Sequence, residues 1–176
     1  MLVFKVIILG DSMVGKTAAV ARFVEGHFTK TKRTIGVDFL VKNVTVDTKR
    51  NKEIYLQIWD FSGEEKFKSA LGYYLDRTQG VLYFFDSTRP ETLTNLTQWI
   101  HVVSEFVPPT TPTVVVSTKH DLEPKFDQNY LDEFMKSHGI RHYLKTSAKS
   151  GEGIKEIFGK IAALVLESEG ISTSKA

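Results

Sequence analysis

The feature that most constrains this chain is a glycine-bounded segment directly after a short apolar run. Residues 10–17 read Gly-Asp-Ser-Met-Val-Gly-Lys-Thr, which has the spacing of a phosphate-binding loop. The preceding residues 2–9 are apolar except for Lys5 and predict a buried strand, too short to span a bilayer, and a helical stretch follows. This strand-to-helix context indicates an α/β fold that holds an anion at the carboxyl edge of its sheet. Taken alone, the same residues could form an ordinary turn.

Short β-branched or aromatic runs alternate with longer helical patterns, which indicates βα units around a mostly parallel sheet. The predicted strands are residues 2–9, 37–46, 53–60, 81–86, 113–118 and 142–145. The link between the second and third strands, residues 47–52, is too short for a helix and rich in turn residues. We therefore expect these two strands to form an antiparallel hairpin at the sheet edge.

Three later segments carry helical signals. Thr88, followed three residues later by Glu91, is a capping-box start for a helix that runs to about Phe106. Asp127 opens another helix, which is expected to close near Gly139. An apolar stripe predicts a last helix packed on the sheet and consists of Ile154, Ile157, Phe158, Ile161, Ala162 and Val165. The expected organisation is one domain over residues 1–169 and a short flexible tail over residues 170–176.

Composition fits a single soluble domain and excludes several classes of partner. The 176 residues are 41% hydrophobic, and the formal net charge of +2 gives no electrostatic case for nucleic acid or an anionic bilayer as the main partner. With no cysteine, the chain has no disulfide, no thiolate metal site and no lipid thioether. Its five histidines show no paired ligand spacing, so none is interpreted as a metal ligand.

The residue types of the loop suit a nucleotide phosphate. Backbone N–H groups and the start of the following helix would face the phosphate oxygens. Lys16 would supply a point charge to the β- and γ-phosphates, and Thr17 a hydroxyl to Mg²⁺. Asp60, at the end of the third strand, would act on the same Mg²⁺ through water. Each residue alone is explained as easily by a turn, so the hypothesis depends on the combination.

Two further segments at strand ends indicate which base is bound. Thr118-Lys119-His120-Asp121 ends the fifth strand, and Thr146-Ser147-Ala148-Lys149 follows the sixth. Asp121 could accept hydrogen bonds from N1–H and the exocyclic amine of guanine. Adenine presents an acceptor at N1 and lacks that amine, so it would leave the carboxylate unpaired. The predicted ligand is therefore a guanine nucleotide.

With these motifs the chain resembles the Ras-like small GTPases, and within them the Rab branch. The resemblance covers residues 2 to about 168 and rests on the Gly-Asp-Ser opening of the loop, Thr-Ile-Gly-Val-Asp-Phe at 34–39, Trp59-Asp60 and Tyr73-Tyr74. It implies a three-layer P-loop G domain with a six-stranded, mostly parallel sheet and about five helices. It further implies a monomeric GDP/GTP switch that hydrolyses GTP and acts in membrane trafficking. Effectors, exchange factors and GTPase-activating proteins would bind through residues 28–40 and 59–77.

The resemblance also assigns roles residue by residue. Phe28 would lie edge-on to the base, Lys119 would stack on it, and Ala148 would donate its N–H to guanine O6. The implied nucleotide-binding residues are Asp11, Ser12, Met13, Val14, Gly15, Lys16, Thr17, Ala18, Phe28, Thr34, Gly63, Thr118, Lys119, Asp121, Ser147, Ala148 and Lys149. The implied Mg²⁺ residues are Thr17, Thr34 and Asp60, and the implied catalytic residues are Lys16, Thr34, Gly63 and Glu64. Phe39, Trp59 and Tyr73 or Tyr74 would form an exposed aromatic cluster read by effectors, with ordinary core packing as the alternative.

Several residues depart from the family pattern. Glu64 replaces the glutamine that orients the attacking water, which predicts slow hydrolysis and leaves open a pseudo-GTPase that only binds nucleotide. Thr118 replaces an asparagine, Met13 a small residue, and the span from 28 to 34 is one residue shorter than usual. Arg33, beside two lysines, could reach charge developing on the γ-phosphate, although solvated charges are the simpler interpretation. A P-loop kinase or ATPase is a weaker alternative because it gives Asp121 no role.

The sequence contains no cysteine-bearing tail of the kind that carries prenyl groups in Rab proteins. Either it ends at the domain boundary, or the parent protein is not held by a prenyl group. The expected location is the cytoplasm, with attachment to a membrane surface only if a lipidated tail lies outside this sequence.

Overall fold

The computed structural model describes residues 2–46 and 52–171. Its strands are β1 (Leu2–Leu9), β2 (Val37–Val46), β3 (Lys52–Phe61), β4 (Gly80–Asp86), β5 (Thr113–Thr118) and β6 (His142–Lys145). All the predicted strands are confirmed, with β3 and β4 slightly longer than expected. The turn predicted between β2 and β3 and most of the predicted tail lie outside the described residues.

The strands form one sheet in the order β2-β3-β1-β4-β5-β6. β2 pairs with β3 antiparallel at one edge, and the other neighbours are parallel, as predicted. Because the parallel strands share a direction, their carboxyl ends meet along one edge of the sheet. Ile8 pairs with Asp60 and Asp86 pairs with Thr118, so the polar residues at the strand ends are neighbours there.

Within the described residues the α-helices are α1 (Lys16–Glu25), α2 (Glu91–Thr94), α3 (Leu96–Ser104), α4 (Gln128–Ser137) and α5 (Ile154–Ser168), and a 3₁₀ helix spans Glu65–Tyr74. The single helix predicted from Thr88 to Phe106 is wrong in its start and its continuity. Thr88 does not cap it, because its N–H and hydroxyl both donate to Asp86 Oδ1 at 2.9 and 2.7 Å. The prediction for Asp127 is confirmed, since its carboxylate accepts from Asn129 N at 2.8 Å and begins α4.

Hydrophobic residues cover both faces of the sheet, which gives the three layers expected. Alternation along β1 sends Val6 and Ile8 into the cluster with α1 and α5, and Ile7 and Leu9 into the cluster with α3 and α4. The apolar stripe of α5 is buried as predicted. In the described part of the chain, no helix combines the length and the hydropathy needed to cross a bilayer. The phosphate-loop sequence therefore follows a strand that is packed on both sides.

Candidate functional site

A cleft of about 390 Å³ opens at the carboxyl edge of the sheet. Most of the predicted nucleotide-binding residues line it, namely Ser12, Met13, Gly15, Lys16, Thr17, Ala18, Phe28, Thr34, Gly63, Thr118, Lys119, Asp121, Ala148 and Lys149. Asp11, Val14, Asp60, Glu64 and Ser147 are not part of this lining. Val14, Asp60 and Ser147 are buried among the residues that support the wall. The structure thus brings together segments separated by more than a hundred positions in the sequence.

The loop at residues 10–17 wraps tightly around the start of α1. A Cβ at Gly10 would lie 2.1 Å from the carbonyl oxygen of Phe84, so only glycine fits between β1 and β4. Gly15 precedes α1 with a φ of 104°. Met13 also has a positive φ, of 64°, and its side chain is 64% exposed. The loop accommodates the long Met13 side chain by directing it into solvent rather than into the turn.

Lys16 lies in the mouth of this loop. Its ammonium donates to the carbonyl oxygens of Gly10 and Asp11, both at 2.8 Å, and the side chain is almost completely buried. Burial lowers the pKa of Lys16 to about 8, although Asp60 and Asp11 act in the opposite direction. An anion in the loop would favour the charged ammonium, so the site is built to gain charge interaction when phosphate enters.

Thr17, Thr34 and Asp60 meet at one corner of the cleft. Thr17 Oγ1 lies 2.6 Å from Thr34 Oγ1 and donates to Asp60 Oδ2. Asp60 is buried, which raises its pKa to about 6, while the Thr17 hydroxyl and Lys16 lower it in part. The other carboxylate oxygen, Oδ1, is buried without a hydrogen-bond partner. An unpartnered oxygen beside two hydroxyls is the set of hard donors that Mg²⁺ and its waters prefer, so these residues fit the predicted ion.

No cluster of three or more His, Asp or Glu side chains in the described ranges could hold a metal by itself. Mg²⁺ at the Thr17 corner would consequently depend on hydroxyl, water and phosphate oxygens. These residues therefore suit a Mg²⁺ ion that would bind together with a nucleotide.

Asp11 contributes to the loop in a way that the sequence did not reveal. Its carboxylate accepts from Asn95 Nδ2 at 2.7 Å and from Trp99 Nε1 at 2.9 Å, on the side of α3. The side chain therefore connects the loop to the helix layer. Only the main chain of Asp11 is then left to contact a phosphate in this loop. Nothing local in the sequence marks this pairing, because the partners lie more than eighty positions away.

A second set of contacts missed by the sequence analysis centres on Asp86 at the end of β4. Asp86 Oδ2 lies 2.6 Å from Lys119 Nζ and 3.1 Å from Arg89 Nε. The two cations then reach the loop, Arg89 at Ser12 O (3.1 Å) and Lys119 at Met13 O (3.1 Å). Burial alone would raise the pKa of Asp86, but hydrogen bonds led by that from Lys119 hold it below its usual value. The sequence could have marked Asp86 as a candidate site residue by its position, because it is a carboxylate at the carboxyl end of a central strand.

Hydrogen bonds join the segments at the end of the cleft that contains Asp121. Ser147 Oγ donates to Asp121 Oδ1 at 2.7 Å, and His120 N donates to Thr146 O at 3.1 Å. Thr118 Oγ1 donates to Val14 O and lies 3.2 Å from Phe85 O. The hydroxyl that replaces an amide at position 118 thus still bonds to the phosphate loop.

His120 joins this network from behind. Its Nε2 lies 2.5 Å from Ser117 Oγ, which is also 2.7 Å from Tyr143 Oη. Phe126 packs edge-on against the imidazole, with ring centroids 6.4 Å apart. Burial, followed by the positive charge of Lys145, lowers the pKa of His120, and Glu152 and Asp121 oppose that shift. The imidazole supports the turn between β5 and Asp121.

The opposite end of the cleft carries charged side chains that lie against the loop. A Cβ at Gly63 would meet the main-chain nitrogen of Ser12 at 2.2 Å, so this glycine packs directly on the loop. Arg33 Nε donates to Ser12 Oγ at 3.0 Å and lies 3.6 Å from Glu64 Oε1. Lys66 Nζ lies 2.9 Å from Glu64 Oε2, and this contact, with the charge of Arg33, lowers the pKa of Glu64. Arg33 is thus not a purely solvated charge.

The aromatic residues 39, 59, 73 and 74 form a surface cluster. Phe39 packs edge-on against Trp59 with centroids 5.2 Å apart, and Trp59 lies 6.2 Å from Tyr74. Phe39, Tyr73 and Tyr74 are exposed, and Trp59 is half-buried. Of the two interpretations offered by the sequence, the exposed cluster describes these side chains better than core packing.

Comparison with known proteins places this arrangement in context. The model of the Ras family matches residues 5–167. Ras-related protein Rab-13 of Bos taurus is 33% identical over 170 residues, which cover 95% of this chain and 82% of the relative. Ras-related protein Rab-1D of Dictyostelium discoideum is 35% identical over 162 residues, covering 90% and 78%. Ras-related protein SEC4 of Saccharomyces cerevisiae is 34% identical over 169 residues, covering 94% and 76%.

Proposed function

The chain belongs to the Ras family, and on that premise we propose that it is a GDP/GTP switch that hydrolyses GTP slowly. The observation that carries this proposal is the position of Asp121. Ser147 holds its carboxylate at 2.7 Å in the cleft wall that also contains Lys119 and Ala148. A fixed carboxylate there suits the donor edge of guanine and leaves an adenine unpaired.

The chain's own residues supply most of the chemistry proposed for hydrolysis. Lys16 would hold the charge of the β- and γ-phosphates, and Gly63 would donate its N–H to the γ-phosphate. Thr17, Thr34 and Asp60 would hold Mg²⁺, whose contribution when bound is to offset charge on the phosphate oxygens. Water, positioned rather than strongly activated, would be the nucleophile. Loss of the γ-phosphate would release Thr34 and Gly63 and change the order of residues 28–38 and 61–77.

We assign the protein contacts to the two segments that respond to the nucleotide. Residues 28–40 and 59–77 include the exposed aromatic side chains Phe39, Tyr73 and Tyr74, a surface suited to an apolar partner. The similarity to Rab-named relatives supports a role in membrane trafficking for the monomeric switch.

A second candidate function is a module that binds guanine nucleotide without appreciable hydrolysis. One observation favours it. Both carboxylate oxygens of Glu64 face cations, Arg33 at 3.6 Å and Lys66 at 2.9 Å, where hydrolysis needs a group that orients water. If these contacts persist with GTP bound, Glu64 cannot orient the attacking water, and hydrolysis depends on the residues of the phosphate loop alone.

The first experiment identifies the nucleotide. We expect denatured protein to release GDP or GTP, and GDP to displace a fluorescent guanine nucleotide far better than ADP does. Preference for ADP would favour the kinase or ATPase alternative, and release of neither would end the proposal.

The second experiment separates the switch from the binding module. Single-turnover hydrolysis of bound GTP is followed for the unmodified protein, Glu64→Gln and Lys16→Ala. We expect slow hydrolysis that rises severalfold in Glu64→Gln, because an amide can both donate to and accept from the attacking water. GTP that stays intact for hours in both the unmodified protein and Glu64→Gln would favour the module, and identical measurable rates would show that Glu64 has no role.

A further inference from the structure

Three charged side chains from two segments meet beside the phosphate loop, next to the place proposed for the γ-phosphate. Arg33 comes from the segment before β2, and Glu64 and Lys66 from the segment after β3. The Glu64 side chain is 21% exposed. It follows Gly63, the residue packed on Ser12 N, so the carboxylate lies next to the place proposed for the γ-phosphate.

A carboxylate at this position opposes the binding of GTP more than that of GDP. Like charges in a partly desolvated cleft repel each other, and the charge that distinguishes the two nucleotides is the γ-phosphate. Lys16, deeper in the loop, is assigned to the β-phosphate of both nucleotides and to the γ-phosphate of GTP, and Glu64 opposes its attraction for the γ-phosphate. Without compensation, Glu64 would bias the site towards GDP.

Arg33 and Lys66 both pair with Glu64, but only Arg33 also contacts the loop. Lys66 belongs to the same segment as Glu64, and its side chain is 69% exposed. Arg33 joins Glu64 to the loop, because its Nε donates to Ser12 Oγ at 3.0 Å while it faces Glu64 Oε1. Its guanidinium therefore links the Glu64 carboxylate to the Ser12 hydroxyl of the loop.

We propose that Arg33 is a specificity-determining residue for the nucleotide state, which neutralises Glu64 so that this carboxylate tolerates a γ-phosphate beside it. This inference rests on the proposed function and deepens it. Arg33 and Glu64 then act as a unit: the arginine is needed for GTP because the glutamate is there. An arginine that simply bound the phosphate would be needed whichever residue stood at position 64.

The test measures the ratio of the dissociation constants for a non-hydrolysable GTP analogue and for GDP, with Mg²⁺, on nucleotide-free protein. We expect Arg33→Ala to raise this ratio about fivefold, the effect of losing a partly exposed ion pair. In the Glu64→Gln background the same substitution should change the ratio less than about twofold. Arg33→Lys, which keeps the charge, should retain most of the preference, and 0.5 M salt should shrink the effect of Arg33→Ala.

Arg141→Ala is the matched control, because it removes an equal charge from an exposed side chain directly before β6, at the end of the sheet opposite the cleft. Its ratio should equal that of the unmodified protein. An equal effect of Arg33→Ala in the unmodified and the Glu64→Gln backgrounds would overturn the proposal in favour of direct phosphate binding, and no effect in either background would also overturn it. In both cases the unmodified protein still binds guanine nucleotides, whereas failure of the proposed function would abolish that binding itself.

Discussion

The two ends of the cleft are built by different means. At the end proposed to bind the base, Thr118, Thr146 and Ser147 are buried and hydrogen-bonded to neighbouring strands and loops. At the end proposed to sense the γ-phosphate, Ile35 is 83% exposed and Arg33 is 59% exposed. The residues that support Asp121 are therefore held by buried hydrogen bonds, and the other end is held by contacts for which water and salt compete. Recognition of the base calls for a rigid template, and sensing of a phosphate calls for a surface that can rearrange.

The largest effect that sharpens this contrast is expected at Asp121. Asp121→Ala should weaken GDP binding about 100-fold, since two hydrogen bonds to a charged group are lost, and should leave the weak binding of ADP unchanged. Displacement of a fluorescent nucleotide measures both. Asp127→Ala is the matched control, because that carboxylate caps α4 and should affect stability without affecting affinity. GDP binding within threefold of the unmodified protein would remove Asp121 from base recognition.

The next effect tests the phosphate-sensing end. Gly63→Ala places a Cβ 2.2 Å from Ser12 N, so the segment must move off the loop. We expect single-turnover GTP hydrolysis to fall about tenfold, because the Gly63 N–H is displaced rather than removed and loses part of its stabilising effect, with GDP dissociation unchanged within about twofold. Gly159→Ala is the control, because a Cβ there meets nothing within 4 Å. Equal losses in GDP binding and in hydrolysis would show that the two ends are not independent.

A smaller effect is expected at Thr118. Thr118→Val removes the hydroxyl that bonds to Val14 O and should speed GDP release about fivefold. Thr118→Asn should slow release severalfold, because an amide can donate and accept between the loop and the base. Dissociation of fluorescent GDP measures both rates. Thr78→Val is the control, since the Thr78 hydroxyl is buried without a partner. Unchanged release in both Thr118 variants would remove this residue from nucleotide retention.

The smallest effect concerns pH and His120. The pKa of His120 is lowered in the folded protein, so the unfolded chain takes up the proton first as pH falls below about 6.5. This contribution to the free energy of unfolding is therefore complete near pH 7 and decreases towards pH 5.5. Partial exposure of the imidazole keeps the loss small.

Chemical denaturation at pH 7 and 5.5 compares the unmodified protein with His120→Gln, so that contributions from other groups cancel. His142→Gln is measured for comparison. The pKa of His142 is also lowered, but this residue lies away from the base loop, so the variant shows what a histidine elsewhere in the fold contributes. If the free energy of unfolding of the unmodified protein and of His120→Gln depends equally on pH, His120 does not contribute to that dependence.

The sequence predicted what depends on local pattern. Alternation of apolar residues located the strands, and the glycine spacing located the phosphate loop, because both features reflect short-range geometry. The helix start at Thr88 was predicted wrongly since Asp86, two residues earlier, competes for the same donors.

Local patterns of this kind could not predict contacts between segments that are distant in the sequence. The pairing of Asp11 with Trp99 and that of Arg89 with the loop depend on how the layers pack, and neither has a local signal. The contact between Arg33 and Glu64 likewise joins two segments whose approach is set by the sheet edge. These interactions decide how the loop is held, and they became visible only with the fold.

The bond from the Trp99 indole to Asp11 gives the molecule a built-in optical probe. Trp99 is completely buried, and its N–H is one hydrogen bond away from the loop proposed to hold the phosphates. Any shift of that loop changes the electric field at the ring, and the colour of indole emission follows such fields. Occupancy could thus be followed by ultraviolet excitation of the unlabelled protein, with Trp59→Phe removing the signal from the other tryptophan.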